Sequence, residues 1–262
     1  MYNDILTIGP VTIHGYGLMI AIGVLCAMII GVRRAKSKGL SADIVMNLGI
    51  IVLVAGFVGA KLLFCIVELP SFLKDPLSIL SGSGFVVYGG IIAGILAAML
   101  YCRKKGVSFL QHFDLIIPSV AVAQGFGRIG CFLAGCCYGA HTDLPIGIVF
   151  ENSALAPNGI PLFPTQLVSS AGDFLIALVL ILFARKARSA GKVAGLYLIL
   201  YSVGRFAIEF FRSDARGSVG ALSTSQFIAF FMLAGGLLLF FRDRLPWLRG
   251  ELAKQPKDPD VL

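Results

Sequence analysis

Long apolar runs alternate along the chain with short polar or charged clusters. Seven runs approach the length of about 20 residues that carries a helix across hydrocarbon. They fall roughly at 12–32, 45–67, 84–102, 112–134, 165–184, 193–211 and 225–241. The pattern predicts an all-α, polytopic membrane protein with seven transmembrane helices. Between the second and third runs, 69–83 (LPSFLKDPLSILSGS) predicts a short surface helix. The longest stretch without helical pattern, 138–164, holds Pro145, Pro157, Pro161 and Pro164 and reads as a binding loop. No linker is long enough to separate a second domain, so 1–262 reads as one integral-membrane domain. Its end, 242–262, is polar and proline-broken and is expected to be a partly disordered cytoplasmic tail.

Composition agrees with the pattern. The chain is 57% hydrophobic and 14% charged, whereas a soluble domain is about one quarter charged. The net charge of +8 would suggest a polyanionic partner if it were spread over one surface, but it is not. Of the 22 Lys and Arg, 16 follow the first, third, fifth and seventh runs, as in Arg33-Arg34, Arg103-Lys104-Lys105 and Arg185-Lys186. The opposite connections carry Lys74, Arg212 and Arg216. By the positive-inside rule the N-terminus is outside and the C-terminus cytoplasmic. The basic charge therefore marks topology, and no nucleic-acid partner is implied. The first ten residues hold Asp4 and no Lys or Arg, which argues against a cleavable signal.

Lys61, Arg128 and Arg205 remain, all within or near spans. Lys61 reads as a side chain snorkelling to the interface. Arg128 lies in GFGRIGCFLAGCCYG, residues 125–139. A guanidinium stays charged at any ordinary pH and is costly in hydrocarbon, so it should face a polar cavity and meet an anion. Arg205, Glu209 and Arg212 are spaced to share one helix face, and Arg205 can pair with Glu209. Two arginines from different helices suit a phosphate, because each binds its oxygens bidentately. Both sit toward the outer ends of their spans, at the level of phospholipid head groups. A lipid-phosphate site follows.

Other candidates are weaker. Asp173 reads as a structural partner of a nearby cation, and Asp114 as a cap for its own helix. His14, beside Tyr16 at the start of the first span, is placed to line the outer cavity. Cys131, Cys136 and Cys137 cluster with a C-x4-C-C spacing that fits no standard zinc pattern. Packing, a disulfide and metal binding all stay open for them. No His-Glu-x-x-His, P-loop or GxSxG pattern is present, and no metal or cofactor is expected.

Taken together, GPVTIHGYGLM at 9–19, VVYGGIIAGI at 86–95, GRIGCFLAGCCYG at 127–139, PTQL at 164–167 and YSVGRFAIEFFR at 201–212 resemble the prolipoprotein diacylglyceryl transferases. The resemblance implies a bacterial inner-membrane enzyme. It would transfer a diacylglyceryl group from phosphatidylglycerol to the lipobox cysteine thiol of a prolipoprotein signal peptide. The products would be a thioether and glycerol phosphate. By position, Arg128, Gly139, Arg205 and Glu209 match family functional residues, and Tyr16 and Tyr201 match cavity tyrosines. The family carries Asn at the position of Cys131, Glu at Cys136, His at Tyr88 and Arg at Lys61. Tyr88 thus stands at the place of the family histidine and is expected to act with Arg128, Arg205 and Glu209 in catalysis, hydrogen-bonding the head group or the incoming thiol. The alternatives are a related lipid-group transferase with another acceptor, or a phospholipid-binding membrane protein without activity.

Overall fold

The computed structural model describes residues 4–8, 11–82, 84–187, 189–214 and 217–244. The tail beyond Arg244, with Arg249, Lys254 and Lys257, lies outside the described residues, as do Arg188 and Arg216.

Seven helices are long and apolar enough to span a membrane. They are α1 (Gly15–Ser37), α2 (Ala42–Val67), α5 (Val87–Lys105), α6 (Phe109–Ala134), α7 (Thr165–Phe183), α8 (Lys192–Ile208) and α9 (Thr224–Phe241). Each agrees with its sequence-predicted run to within a few residues. The surface segment after α2 forms two short helices rather than one, α3 (Leu69–Lys74) and α4 (Pro76–Ser81). Asp75 divides them. Its carboxylate accepts the Ser78 amide at 3.1 Å, and Pro76 follows in the first turn, where a missing N–H costs nothing.

The apolar pattern gives no sign of the strands. β1 (Asp4–Ile8) pairs antiparallel with β2 (Val11–His14), so the first helix starts at Gly15 and not at residue 12. The alternation Val11-Thr12-Ile13-His14 has the period of a strand, and a window wide enough to find a membrane span averages it away. Two-residue strands β3 (Ile148–Val149) and β4 (Pro161–Leu162) tie the long loop, and β5 (Ser218–Val219) pairs with β6 (Leu222–Ser223) ahead of α9.

The chain divides into two compact units. The second runs Gly31–His112, and its centre is α2 against α5. These two helices approach backbone to backbone. A Cβ added at Gly59 would meet the Gly89 carbonyl at 2.6 Å, and one at Gly90 the Gly56 carbonyl at 2.7 Å. Such contact is how membrane helices gain packing energy where the hydrophobic effect offers none. Here Lys61 donates from Nζ to the carbonyls of Gly82 (2.6 Å) and Gly84 (3.2 Å), and lies 4.8 Å from the Phe85 ring centre. It pins the link from α4 to α5, a more specific task than snorkelling.

The first unit holds the chain up to Ile30 and resumes at Phe113. Its core joins α6, α7 and α8 through Ile117, Ala121, Ala177, Leu180, Val193 and Tyr197. α8 and α9 meet at Gly195 and Gly236, where an added Cβ would find backbone atoms at 2.7–3.1 Å. Asp114 does not cap its own helix. It lies beyond the first turn of α6, where amides already bond within the helix, so its carboxylate is free for another element. It accepts the Gly191 amide at 2.7 Å and the Ala194 amide at 2.8 Å, capping α8 instead.

Asp114→Ala is expected to strip two amides of their acceptor and to lower stability by about 1–3 kcal/mol. Thermal unfolding in detergent checks this, with Asp114→Asn losing less.

Candidate active site

Arg128 sits in the last two turns of α6 and faces a pocket of about 320 Å³. α7 contributes Val168, Ser169, Gly172, Asp173 and Ile176, and α8 contributes Tyr201, Gly204 and Arg205. Phe163 and Phe211 close the rim. Arg128 and Arg205 thus converge on one cavity, as their sequence positions predicted.

The two guanidiniums are held differently. Arg205 forms an ion pair with Glu209, Nη1 to Oε2 at 2.9 Å, and donates from Nη2 to Ser225 Oγ at 2.7 Å. Glu209 is buried, with 1% of its side chain exposed, and also lies 3.8 Å from Arg212. Arg212 in turn grips Asp214 through two bonds, at 2.6 and 2.9 Å. Arg128 is different: among the described residues it makes no ion pair within 4.0 Å, and it shares the pocket lining with Tyr201 and Asp173. Its donors are open to the pocket.

The local fold also amends the idea that 205, 209 and 212 share one helix face. α8 ends at Ile208, Glu209–Phe211 tighten into a 3-10 turn, and Arg212 is extended. The tightening keeps Glu209 between both arginines.

The turn after α6 sets the rim. Gly135 takes the left-handed conformation that ends many helices, φ 72°. Cys137 adopts it too, at φ 59°, which is uncommon for a side chain with a Cβ. Two buried side chains hold it there. Thr165 Oγ1 donates to the Cys137 carbonyl at 2.7 Å, and Gln166 Nε2 to the Cys136 carbonyl at 2.8 Å. Gly139 then passes between two strands of backbone. An added Cβ would collide with the Phe163 carbonyl and lie 2.9 Å from that of Phe211. Its neighbour Ala140 accepts from Phe163 N (2.9 Å) and donates to Phe211 O (2.8 Å). The stacked Phe163 and Phe211 rings, 5.0 Å apart, follow from this stitching.

The other expected residues fall as follows. Tyr201 lines the pocket and stacks on Tyr197 at 5.6 Å, whose hydroxyl donates to Gln124 at 2.6 Å. Tyr16, half-exposed on α1, packs against Gly130 and neighbours Arg128 and the three clustered cysteines. His14 stands exposed on β2, its Nδ1 2.6 Å from Asp4 Oδ1, and is not among the residues lining the pocket. Tyr88 belongs to the second unit, where it is exposed in the first turn of α5. Three contributions escape a reading of the sequence. Asp173 faces the pocket, Thr165 and Gln166 fix the turn, and the two phenylalanines form the rim. A carboxylate inside a span was the available signal for Asp173, and the polar pair opening an apolar run was the signal for Thr165 and Gln166.

The comparisons with known proteins agree over nearly the full length. A family model described as prolipoprotein diacylglyceryl transferase matches residues 3–242. The chain is similar to a phosphatidylglycerol–prolipoprotein diacylglyceryl transferase of Clostridium tetani, 50% identical over 234 residues, covering 88% of this chain and 94% of the relative. It is similar to a second enzyme of that name, numbered 2, in Clostridium perfringens, at 46% identity over 89% of this chain and 92% of the relative. A Clostridioides difficile enzyme of the same name is 33% identical over 88% of this chain and 91% of its own length.

Gln166→Leu is expected to strip the Cys136 carbonyl of its donor from a buried side chain and to cost about 1–3 kcal/mol. Unfolding in detergent measures this, and no loss of stability would remove Gln166 from the role of holding the turn.

Proposed function

The chain belongs to the prolipoprotein diacylglyceryl transferase family, and from that premise we propose how its pocket performs the transfer. The protein is a multi-pass transferase of the bacterial inner membrane, acting on phosphatidylglycerol and a prolipoprotein. The observation that carries the reading is the open guanidinium of Arg128 in a pocket shared with Arg205. Arg128 takes the phosphate oxygens directly. Arg205, fixed by Glu209 and Ser225, presents its charge in a set position. Glu209 is a positioning residue, since its carboxylate is committed to arginines. A pocket of about 320 Å³ suits a polar head group, and the acyl chains remain in lipid between the helices. Gly139 keeps the rim narrow, Tyr201 offers a hydroxyl to the head group, and Tyr16 stands at the side of Arg128 nearest the cysteine turn.

The acceptor is the lipobox cysteine of the prolipoprotein signal peptide. Its thiol releases a proton, and the thiolate attacks the glyceryl carbon that bears the phosphate ester. The carbon–oxygen bond breaks, a thioether forms, and glycerol phosphate departs with a second negative charge. That charge is what the arginines stabilise better in the transition state than in the ground state. A free thiol near pKa 8.5 is already a few per cent thiolate at neutral pH, so no strong base is required. The basic clusters after α1, α5, α7 and α9 support an orientation with the N-terminus outside and this pocket in the outer half of the bilayer.

The test incubates the purified protein with phosphatidylglycerol and a lipobox peptide and seeks the diacylglyceryl adduct on the peptide cysteine by mass spectrometry. No adduct, while a relative run alongside modifies the peptide, overturns the reading. Arg128→Ala is expected to slow transfer by about 100-fold or more, the scale of losing one preorganised electrostatic contact. Glu209→Gln is expected to lose less, and mainly in apparent affinity for phosphatidylglycerol, because it loosens Arg205 without removing a cation.

A further inference from the structure

Three thiols meet where α6 turns into the loop. The sulfurs of Cys131, Cys136 and Cys137 all lie within 4.8 Å of one another, and all three are free and half-buried. The transfer reaction as derived above uses none of them. Cys131 is presented from the last turn of α6, and the other two from the strained turn that follows.

Two features make this more than a chance grouping. The backbone that presents the thiols is fixed before any ligand arrives, because Thr165 and Gln166 clamp the carbonyls of Cys137 and Cys136. The surroundings are cationic as well. Arg128 precedes Cys131 by three residues on the same face of α6, and Arg212 bridges to Gly139, two residues after Cys137. His141 does not join the group; it faces Asp143 at 3.9 Å.

We propose that Cys131, Cys136 and Cys137 form a three-thiolate site for a thiophilic divalent cation of the zinc class. Metal–sulfur bonds of about 2.3 Å in a tetrahedral site place sulfurs about 3.8 Å apart. The trio therefore needs to contract by about 1 Å at most, within reach of side-chain rotation about fixed backbone. Binding releases the three thiol protons to solvent and leaves one net negative charge, which the guanidinium of Arg128 is placed to offset. The fourth tetrahedral position stays open, the arrangement in which zinc takes an exogenous water or thiolate. Ordinary packing does not explain the trio as well: Cys65 and Cys102 show how this chain uses cysteine for packing, singly and buried in apolar helices.

The inference stands apart from the transferase reading, and its test reads metal rather than activity. The full-length protein, purified in detergent under reducing conditions, is titrated with cobalt(II) and then with zinc(II). One equivalent of cobalt is expected to give a thiolate-to-metal charge-transfer band that zinc abolishes. Zinc is also expected to protect Cys131, Cys136 and Cys137 from alkylation, mapped by mass spectrometry, while Cys26 reacts as before. Cys136→Ser should weaken zinc binding by at least about 100-fold, beyond what loss of an outer-shell partner causes. Three results overturn the proposal. They are no charge-transfer band, alkylation rates that zinc leaves unchanged, or a disulfide between two of the three in the reduced preparation. If Cys136→Ser fails to fold, the spectrum and protection of the unmutated protein decide.

Discussion

Positive charge that cannot be discharged is the constraint around which this membrane protein is arranged. Arg128, Arg205 and Arg212 lie within or at the ends of apolar helices, where an unpaired guanidinium is costly. The answer is a relay of carboxylates drawn from separate elements. Glu209 sits between Arg205 and Arg212, Asp214 takes the far side of Arg212, and Asp173 faces the cavity with Arg128. Ser225 brings the start of α9 into the same set. Glu209 and Ser225 hold the ends of α8 and α9 to Arg205 at bonding distance, and Arg128 on α6 and Asp173 on α7 line the same pocket. The pocket is a product of that convergence. Of the three, Arg128 makes no ion pair within 4.0 Å among the described residues, and it lines the pocket.

The helices reach that arrangement through small residues. Lipid tails are as apolar as leucine, so helices in a bilayer gain little by hiding apolar surface from each other. Close backbone approach supplies dispersion contacts in its place. Gly195 and Gly236 do this for α8 and α9, and Gly56, Gly59, Gly89 and Gly90 for α2 and α5. Gly23 and Gly130 serve α1 on α6, with the Tyr16 ring seated on Gly130. A glycine at these points is a packing requirement that also sets how near the tyrosine comes to Arg128.

What a reader of the sequence can recover follows from which interactions are local. The seven spans are legible because hydrocarbon thickness imposes a length, and the convergence of Arg128 with Arg205 because both lie near the ends of spans that share an orientation. The 205–209 pair is legible because four residues make one helical turn. Long-range partners are not. Asp114 reads as a cap for the nearest helix start, yet it caps α8, some eighty residues away in sequence. Thr165 and Gln166 look like an ordinary helix opening until the carbonyls of Cys136 and Cys137 are found above them. The β1–β2 hairpin is missed because a window sized for a membrane span averages away a short alternation.

The turn from Gly135 to Ala140 shows why these hidden partners matter to chemistry. Irregular backbone is tolerated at the edge of a bilayer only where its polar groups find partners. Here every satisfied carbonyl also fixes a site element. The clamp on Cys136 and Cys137 holds the turn in a conformation that a Cβ disfavours, and so fixes where three sulfurs point. The bonds of Ala140 to Phe163 and Phe211 set the aromatic rim of the arginine pocket. Gly139 permits both, since any side chain would force Phe163 and Phe211 apart. One short segment therefore carries both the thiol trio and the rim of the arginine pocket.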